Sequence, residues 1–189
     1  MKVRELLIPG VFVLESPVFA DDRGFFREWF KDADQRDAGV NFDVRQANLS
    51  RSAKNVIRGL HYSVAAAGQS KVVTCVEGSI QECMVDIRLG SPTFGRVEQL
   101  TLAAGDGLSV HIASGVAHGF CVTSEFATIA YLLSSPYEPT YELEIDPMDH
   151  DVSIGWHLSG PAILSDKDAA APSLEQRRRS NELPTFQPL

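Results

Sequence analysis

Cysteine is scarce in this chain. Cys75, Cys83 and Cys121 make an odd number, contain no Cys-x-x-Cys spacing, and each lies in an apolar, strand-like run. That pattern argues against a disulfide framework or a thiolate zinc site and for buried, reduced thiols. Long apolar runs are missing, so no segment has the length of a membrane span. The opening Met1-Lys2-Val3-Arg4-Glu5 leads into a short apolar patch that stops at Pro9-Gly10, which does not match a secretory signal. A reducing cytoplasm is the expected compartment. Positive charge is in the minority: 17 Lys and Arg stand against 25 Asp and Glu, for a net charge of −8. Such a balance argues against general nucleic-acid or anionic-membrane binding, although a few arginines can still build a local basic pocket. There is no Walker lysine loop, no serine-centred elbow and no His-Glu zinc repeat, which removes support for a kinase, nuclease or protease. Internal repeats, low-complexity tracts and interdomain linkers are absent, and 189 residues fit one domain spanning 1–189 with a full core.

What is present reads mainly as β. Residues 72–76 are a β-branched run, Glu77-Gly78-Ser79 breaks it, and 80–87 resumes, which predicts a hairpin. Within the second run Gln81, Cys83, Val85 and Ile87 share one face, while Ile80, Glu82, Met84 and Asp86 share the other. Further strands are predicted at 97–102, 108–112, 120–123 and 127–133, separated by glycine turns. Short strands at this spacing point to an antiparallel sandwich or barrel. Helices are few: a short one at 29–38, and a second opened by the capping box Ser173-Leu174-Glu175-Gln176. The run Arg177-Arg178-Arg179 reads as a solvated face, and 184–189 as a tail.

The densest chemistry lies in Arg58-Gly59-Leu60-His61-Tyr62, followed nine residues after Tyr62 by Lys71. Arginine suits phosphate, histidine moves protons near neutral pH, and lysine stabilises developing negative charge. Further on come Ala117-His118-Gly119-Phe120, Tyr131, Tyr137 and Ser165-Asp166-Lys167-Asp168. With Asp22-Arg23-Gly24, Gln46-Ala47-Asn48-Leu49-Ser50 and Gly90-Ser91-Pro92-Thr93-Phe94-Gly95, in this order over nearly the whole chain, these segments resemble the dTDP-4-keto-6-deoxyhexose epimerases, the family of dTDP-4-dehydrorhamnose 3,5-epimerase.

The resemblance implies a cupin-type antiparallel jelly-roll barrel with a few short helices, an N-terminal arm and a short C-terminal helix. It implies a site in the barrel mouth and a homodimer with exchanged strands or arms. The implied reaction inverts C3, C5 or both in a dTDP-4-keto-6-deoxyhexose, by proton abstraction beside the C4 ketone and reprotonation from the other face. In that scheme His61 is the base and Asp168 its partner carboxylate. Lys71 stabilises the enolate, and Tyr131 donates the returning proton. Arg23 and Arg58 resemble diphosphate contacts, with the Arg23 arm able to come from a second subunit. Phe26, Glu28, Gln46, Asn48 and Tyr137 match positions lining the nucleotide or sugar pocket. Lys167 extends toward the nucleotide, and His118 is a pocket or support residue.

Rival readings accompany these. Asp166 competes with Asp168, Lys71 could be a surface lysine at a strand start, and Tyr131 could be a core tyrosine. His61-Tyr62-Ser63 is not a His-x-His ligand pair, and His111, His150 and His157 lack companions at ligand spacing, so neither a metal nor another cofactor is expected. Ser63, Leu132 and the apolar 64–68 loop depart from the fuller 3,5-epimerases and resemble members that tailor deoxysugars for secondary metabolites. The alternatives are a sugar-nucleotide 3,4-ketoisomerase and a non-catalytic cupin that binds a nucleotide sugar.

Overall fold

The structure, a computed structural model, describes residues 1–188. In chain order its strands begin with β1 (Lys2–Glu5), β2 (Phe12–Glu15), β3 (Val18–Asp21), β4 (Gly24–Arg27), β5 (Gln46–Ala53), β6 (Ile57–Ser63) and β7 (Lys71–Glu77). They continue with β8 (Ser79–Asp86), β9 (Val97–Ala103), β10 (Leu108–Ile112), β11 (Val116–Val122), β12 (Phe126–Leu133) and β13 (Glu142–Glu144). Three short helices, α1 (Asp32–Asp37), α2 (Asp166–Ala169) and α3 (Leu174–Arg179), complete the elements among the described residues. Two antiparallel sheets face each other. One runs β1-β2-β10-β7-β12-β5 and the other β13-β6-β11-β8-β9, while β3 and β4 form a separate ribbon. This is the antiparallel jelly-roll architecture that the family resemblance implies, and it fits the sandwich or barrel expected from the strand spacing.

The alternation of side chains explains the layers. Val73, Cys75, Val110, Ile112 and Ile129 point inward from the first sheet and meet Ile80, Met84, Leu102 and Phe120 of the second. The other face of the second sheet is apolar too: Leu60, Tyr62, Cys83, Val85, Ala117 and Ile145 pack in a second cluster. Burial on both faces is why the β8 run lacks a clean apolar–polar alternation. Each fully buried Ile, Leu or Met there contributes about 1.5–3 kcal/mol.

The predicted hairpin between 72–76 and 80–87 does not form. β7 pairs with β10 and β12, and β8 with β11 and β9, so Gly78 carries the chain from one sheet to the other. Its φ is +73°, and a Cβ there would stand 2.1 Å from the Phe126 carbonyl, so the corner demands glycine. The helix expected over 29–38 shrinks to α1, because Trp29 and Phe30 pack instead with Phe42 on the outer face of the first sheet. The C-terminal capping box is present, with Ser173 and Gln176 each satisfying the other's backbone N–H. The arginine run is not uniformly solvated. Arg177 is buried, donating to the Glu144 carbonyl at 2.9 Å and pairing with Glu182 at 2.8 Å, while Arg178 and Arg179 pair with Glu175 on the surface. The tail packs through Phe186, whose N–H donates to the Leu89 carbonyl, and its last residue, Leu189, lies outside the described residues. Among the described residues, no helix is long and apolar enough to cross a membrane.

Candidate active site

The two sheets part at one end to leave a cavity of about 260 Å3. Its position follows from inward-facing polar residues among apolar ones. On the second sheet His61 and His118 are direct cross-strand partners on β6 and β11. The two strands come unusually close beside them. A Cβ on Gly59 would lie 2.6 Å from the Gly119 Cα, and one on Gly119 would lie 2.7 Å from the Arg58 carbonyl. The register shifts between His118 and Phe120, as glycines permit, and both imidazoles stand in the same wall. On the first sheet Lys71, Tyr131 and Asn48 face inward from β7, β12 and β5.

His61 is held from behind. Its Nε2 lies 2.7 Å from Asp168 Oδ1, and Asp168 Oδ2 accepts from the Ser165 hydroxyl at 2.9 Å. Ser165 also caps α2, accepting from the Asp168 N–H at 3.1 Å, so one serine sets both the short helix and its carboxylate. Asp168 is buried while Asp166 is exposed, which separates the two competing carboxylates by their placement. Burial alone would push the Asp168 carboxyl up. The bonds from His61, Ser165 and the Gly59 N–H outweigh it and hold the group below the usual carboxylate range. A carboxylate only accepts, so His61 carries its neutral-form proton on Nε2 and leaves Nδ1 as the free base.

Lys71 is 7% exposed, which removes the surface-lysine reading. Burial depresses its ammonium from the ordinary lysine value, against the opposing pull of Glu142 and Glu82. Tyr131 is half-buried, and burial raises its phenol while the Asn48 hydrogen bond acts the other way. His118 Nδ1 lies 2.8 Å from Glu82 Oε1, and Glu82 is wholly buried. Burial pushes the Glu82 carboxyl well up and the His118 imidazole well down, so both favour their neutral forms. His118 thus lies in the cavity wall with a carboxyl behind it.

Arg58, Tyr137, Lys167 and Asp168 also line the cavity. Lys167 pairs with Glu144 at 2.8 Å, and Arg58 donates to the Ser52 hydroxyl at 2.9 Å. Gln46 stands one step back, bonded to Asn48 and to the Tyr137 N–H. Arg23, Phe26 and Glu28 are not brought to this cavity. Arg23 pairs with Asp21 at the tip of the β3–β4 ribbon, Phe26 is 64% exposed, and Glu28 is exposed just beyond β4. Sequence reasoning did not single out Glu82, Glu142 or Gln69 as site residues. A signal for Glu82 was available, since it is a carboxylate set between Ile80 and Met84 on the same face of a strand. Glu142, on β13, and Gln69, in the loop before β7, meet at 3.0 Å although they lie far apart in sequence, which no local pattern reveals. Among the described residues, no three His, Cys, Asp or Glu side chains gather as a metal set would.

Fold and site together define a β-barrel protein with an acid–base pocket: a braced imidazole on one sheet faces a phenol on the other, with a buried lysine in the same wall as the phenol. The chain belongs to the dTDP-4-dehydrorhamnose 3,5-epimerase family, whose model matches residues 5–176. It is 43% identical to a dTDP-4-dehydrorhamnose 3,5-epimerase of Mycobacterium tuberculosis over 99% of this chain and 94% of that one. Its structure is similar to that of NovW, a 4-keto-6-deoxy sugar epimerase of the novobiocin cluster of Streptomyces spheroides, with a TM-score of 0.94 and 37% identity over 98% of this chain and 94% of that one. It is also similar to ChmJ, a 3'-monoepimerase from Streptomyces bikiniensis solved with dTDP-quinovose, with a TM-score of 0.92 and 38% identity over 96% and 92% of the two chains.

Proposed function

We propose that this protein epimerises a dTDP-4-keto-6-deoxyhexose in deoxysugar biosynthesis, at the carbons beside the C4 ketone. The observation that carries the reading is the His61–Asp168 pair at 2.7 Å, set on the sheet opposite Tyr131. His61 Nδ1 takes the proton from carbon, and the imidazolium that forms is stabilised by Asp168 at Nε2. The electrons move onto the C4 oxygen, where Lys71 stabilises the enolate. Tyr131 returns a proton from the opposite wall, which inverts the centre. Each group the reaction needs is a side chain of this chain, and we expect no metal or organic cofactor.

Arg58 and Lys167 at the cavity supply positive charge for a diphosphate, and the exposed ring of Tyr137 suits stacking on a base. Arg23, Phe26 and Glu28 sit on or beside an exposed ribbon with bare Phe19 and Phe25, which fits an arm that serves the cavity of a second copy in a homodimer. Unpaired buried thiols fit a reducing cytoplasm.

The test is NMR of dTDP-4-keto-6-deoxyglucose with enzyme in deuterium oxide. Deuterium is expected at C3, C5 or both, and His61→Ala is expected to reduce exchange by at least a thousandfold. Folded wild-type protein that exchanges neither carbon would end this reading. A product whose carbonyl has moved would identify a ketoisomerase instead.

A further inference from the structure

A chain of amide side chains runs from the base-stacking segment to the phenol of Tyr131, and its polarity is set at one end. The Tyr137 backbone N–H donates to Gln46 Oε1 at 2.8 Å. A backbone N–H can only donate, so the Gln46 oxygen must face it and the Gln46 amino group must face away. That amino group donates to Asn48 Oδ1 at 2.9 Å. The Asn48 oxygen is thereby engaged, and its own amino group is what remains to meet Tyr131, its direct partner across the β5–β12 ladder. Asn48 and Tyr131 stand side by side across this ladder and both line the cavity, and Asn48 acts against the upward push that burial gives the phenol.

We propose that Gln46 and Asn48 are positioning residues that fix Tyr131 as a proton donor toward the cavity. With Asn48 donating to the phenol oxygen, the phenol's own O–H cannot be spent on Asn48 and is left for the substrate. When the O–H bond breaks and the new C–H bond forms, the phenolate left behind is held by the Asn48 N–H. Because the chain starts at Tyr137, the donor is oriented only while that segment is seated, which couples nucleotide stacking to proton return. The inference rests on the epimerase reading above and adds a role that no lining contact alone assigns.

The test uses Asn48→Asp and Gln46→Glu, each in the wild-type and Tyr131→Phe backgrounds. A carboxylate at position 48 accepts the phenol proton and turns the donor away. Glu at position 46 still accepts from the Tyr137 N–H but offers no N–H to Asn48. With dTDP-4-keto-6-deoxyglucose in deuterium oxide, His61 still exchanges its proton and returns deuterium to the same face. The ratio of deuterium washed in without inversion to inverted product is expected to rise about tenfold or more in each single variant, and not further in the Tyr131→Phe background. Independently of turnover, the ionisation of Tyr131, read as the ultraviolet difference between wild type and Tyr131→Phe, is expected at higher pH in Asn48→Asp. An equal loss of exchange and inversion, a ratio that still rises without the phenol, or an unmoved ionisation would each overturn the inference. Wild-type protein that shows no exchange sinks both this inference and the epimerase reading, whereas wild-type exchange with an unmoved ratio sinks this inference alone.

Discussion

Asp168→Asn keeps the shape of the residue behind His61 and removes its charge. The wild-type contact is a 2.7 Å bond from the ring to a carboxylate that is 3% exposed. Hydrogen bonds to charged groups contribute about 1.5–3 kcal/mol, which is roughly 10- to 150-fold in rate if lost only as the imidazolium forms. A second effect adds to this. The Ser165 hydroxyl donates to Asp168 Oδ2, so an asparagine that keeps its oxygen there turns its amino group toward His61. Nε2 would then have to accept, the ring proton would move to Nδ1, and the free base would be lost. We therefore expect a loss near the upper end, about 100-fold or more in deuterium exchange at saturating substrate.

Stability offers a parallel readout. The folded carboxyl lies below its unfolded value of about 3.9, so its stabilisation is complete above that pH and is lost as pH falls through the folded value. The variant lacks this titration, and its urea midpoint should fall less steeply than that of wild type below about pH 4. An asparagine variant that exchanges within about threefold of wild type would refute the assignment of Asp168 as the group that braces the base.

Lys71→Met removes a buried ammonium and its desolvation cost, so urea unfolding should show equal or greater stability while exchange falls by about 100-fold or more. Glu82→Ala leaves His118 Nδ1 without its 2.8 Å partner and should cost about 1–3 kcal/mol in urea unfolding, whereas Glu82→Gln should cost under about 1 kcal/mol because the native carboxyl favours its neutral form. Arg177→Ala breaks a buried link to Glu144 and Glu182 and should cost about 3 kcal/mol, against less than about 0.5 kcal/mol for the exposed Arg179→Ala, both read by denaturant midpoint.

Local chemistry made much of this protein legible from its residues. The β-branched run of β7, the glycine corners and the Ser173 capping box each state a backbone preference that tertiary contacts then respected. His61, Lys71, Tyr131 and Asp168 stand out through the family resemblance of the segments that carry them, since each residue alone is unspecific. Sequence pattern did not show which strands are neighbours. Residues 72–76 and 80–87 look like a hairpin because a glycine break is compatible with both a turn within a sheet and a corner between sheets. Only pairing energy summed over the whole barrel selects the corner at Gly78.

The same division holds for the site. The residue order determined by itself that this chain makes short antiparallel strands, keeps its thiols apart, and carries an imidazole, an amine, a phenol and a carboxylate. Tertiary structure alone decided that Asp168, from a four-residue helix 107 positions after His61, meets it, and that Asp166 does not. It alone turned Glu82 toward His118, buried Arg177, and left Arg23, Phe26 and Glu28 on an outlying ribbon. The reason is physical: burial and hydrogen-bond direction depend on what stands across the sheet, and that neighbour is set by closure of the barrel rather than by adjacency along the chain.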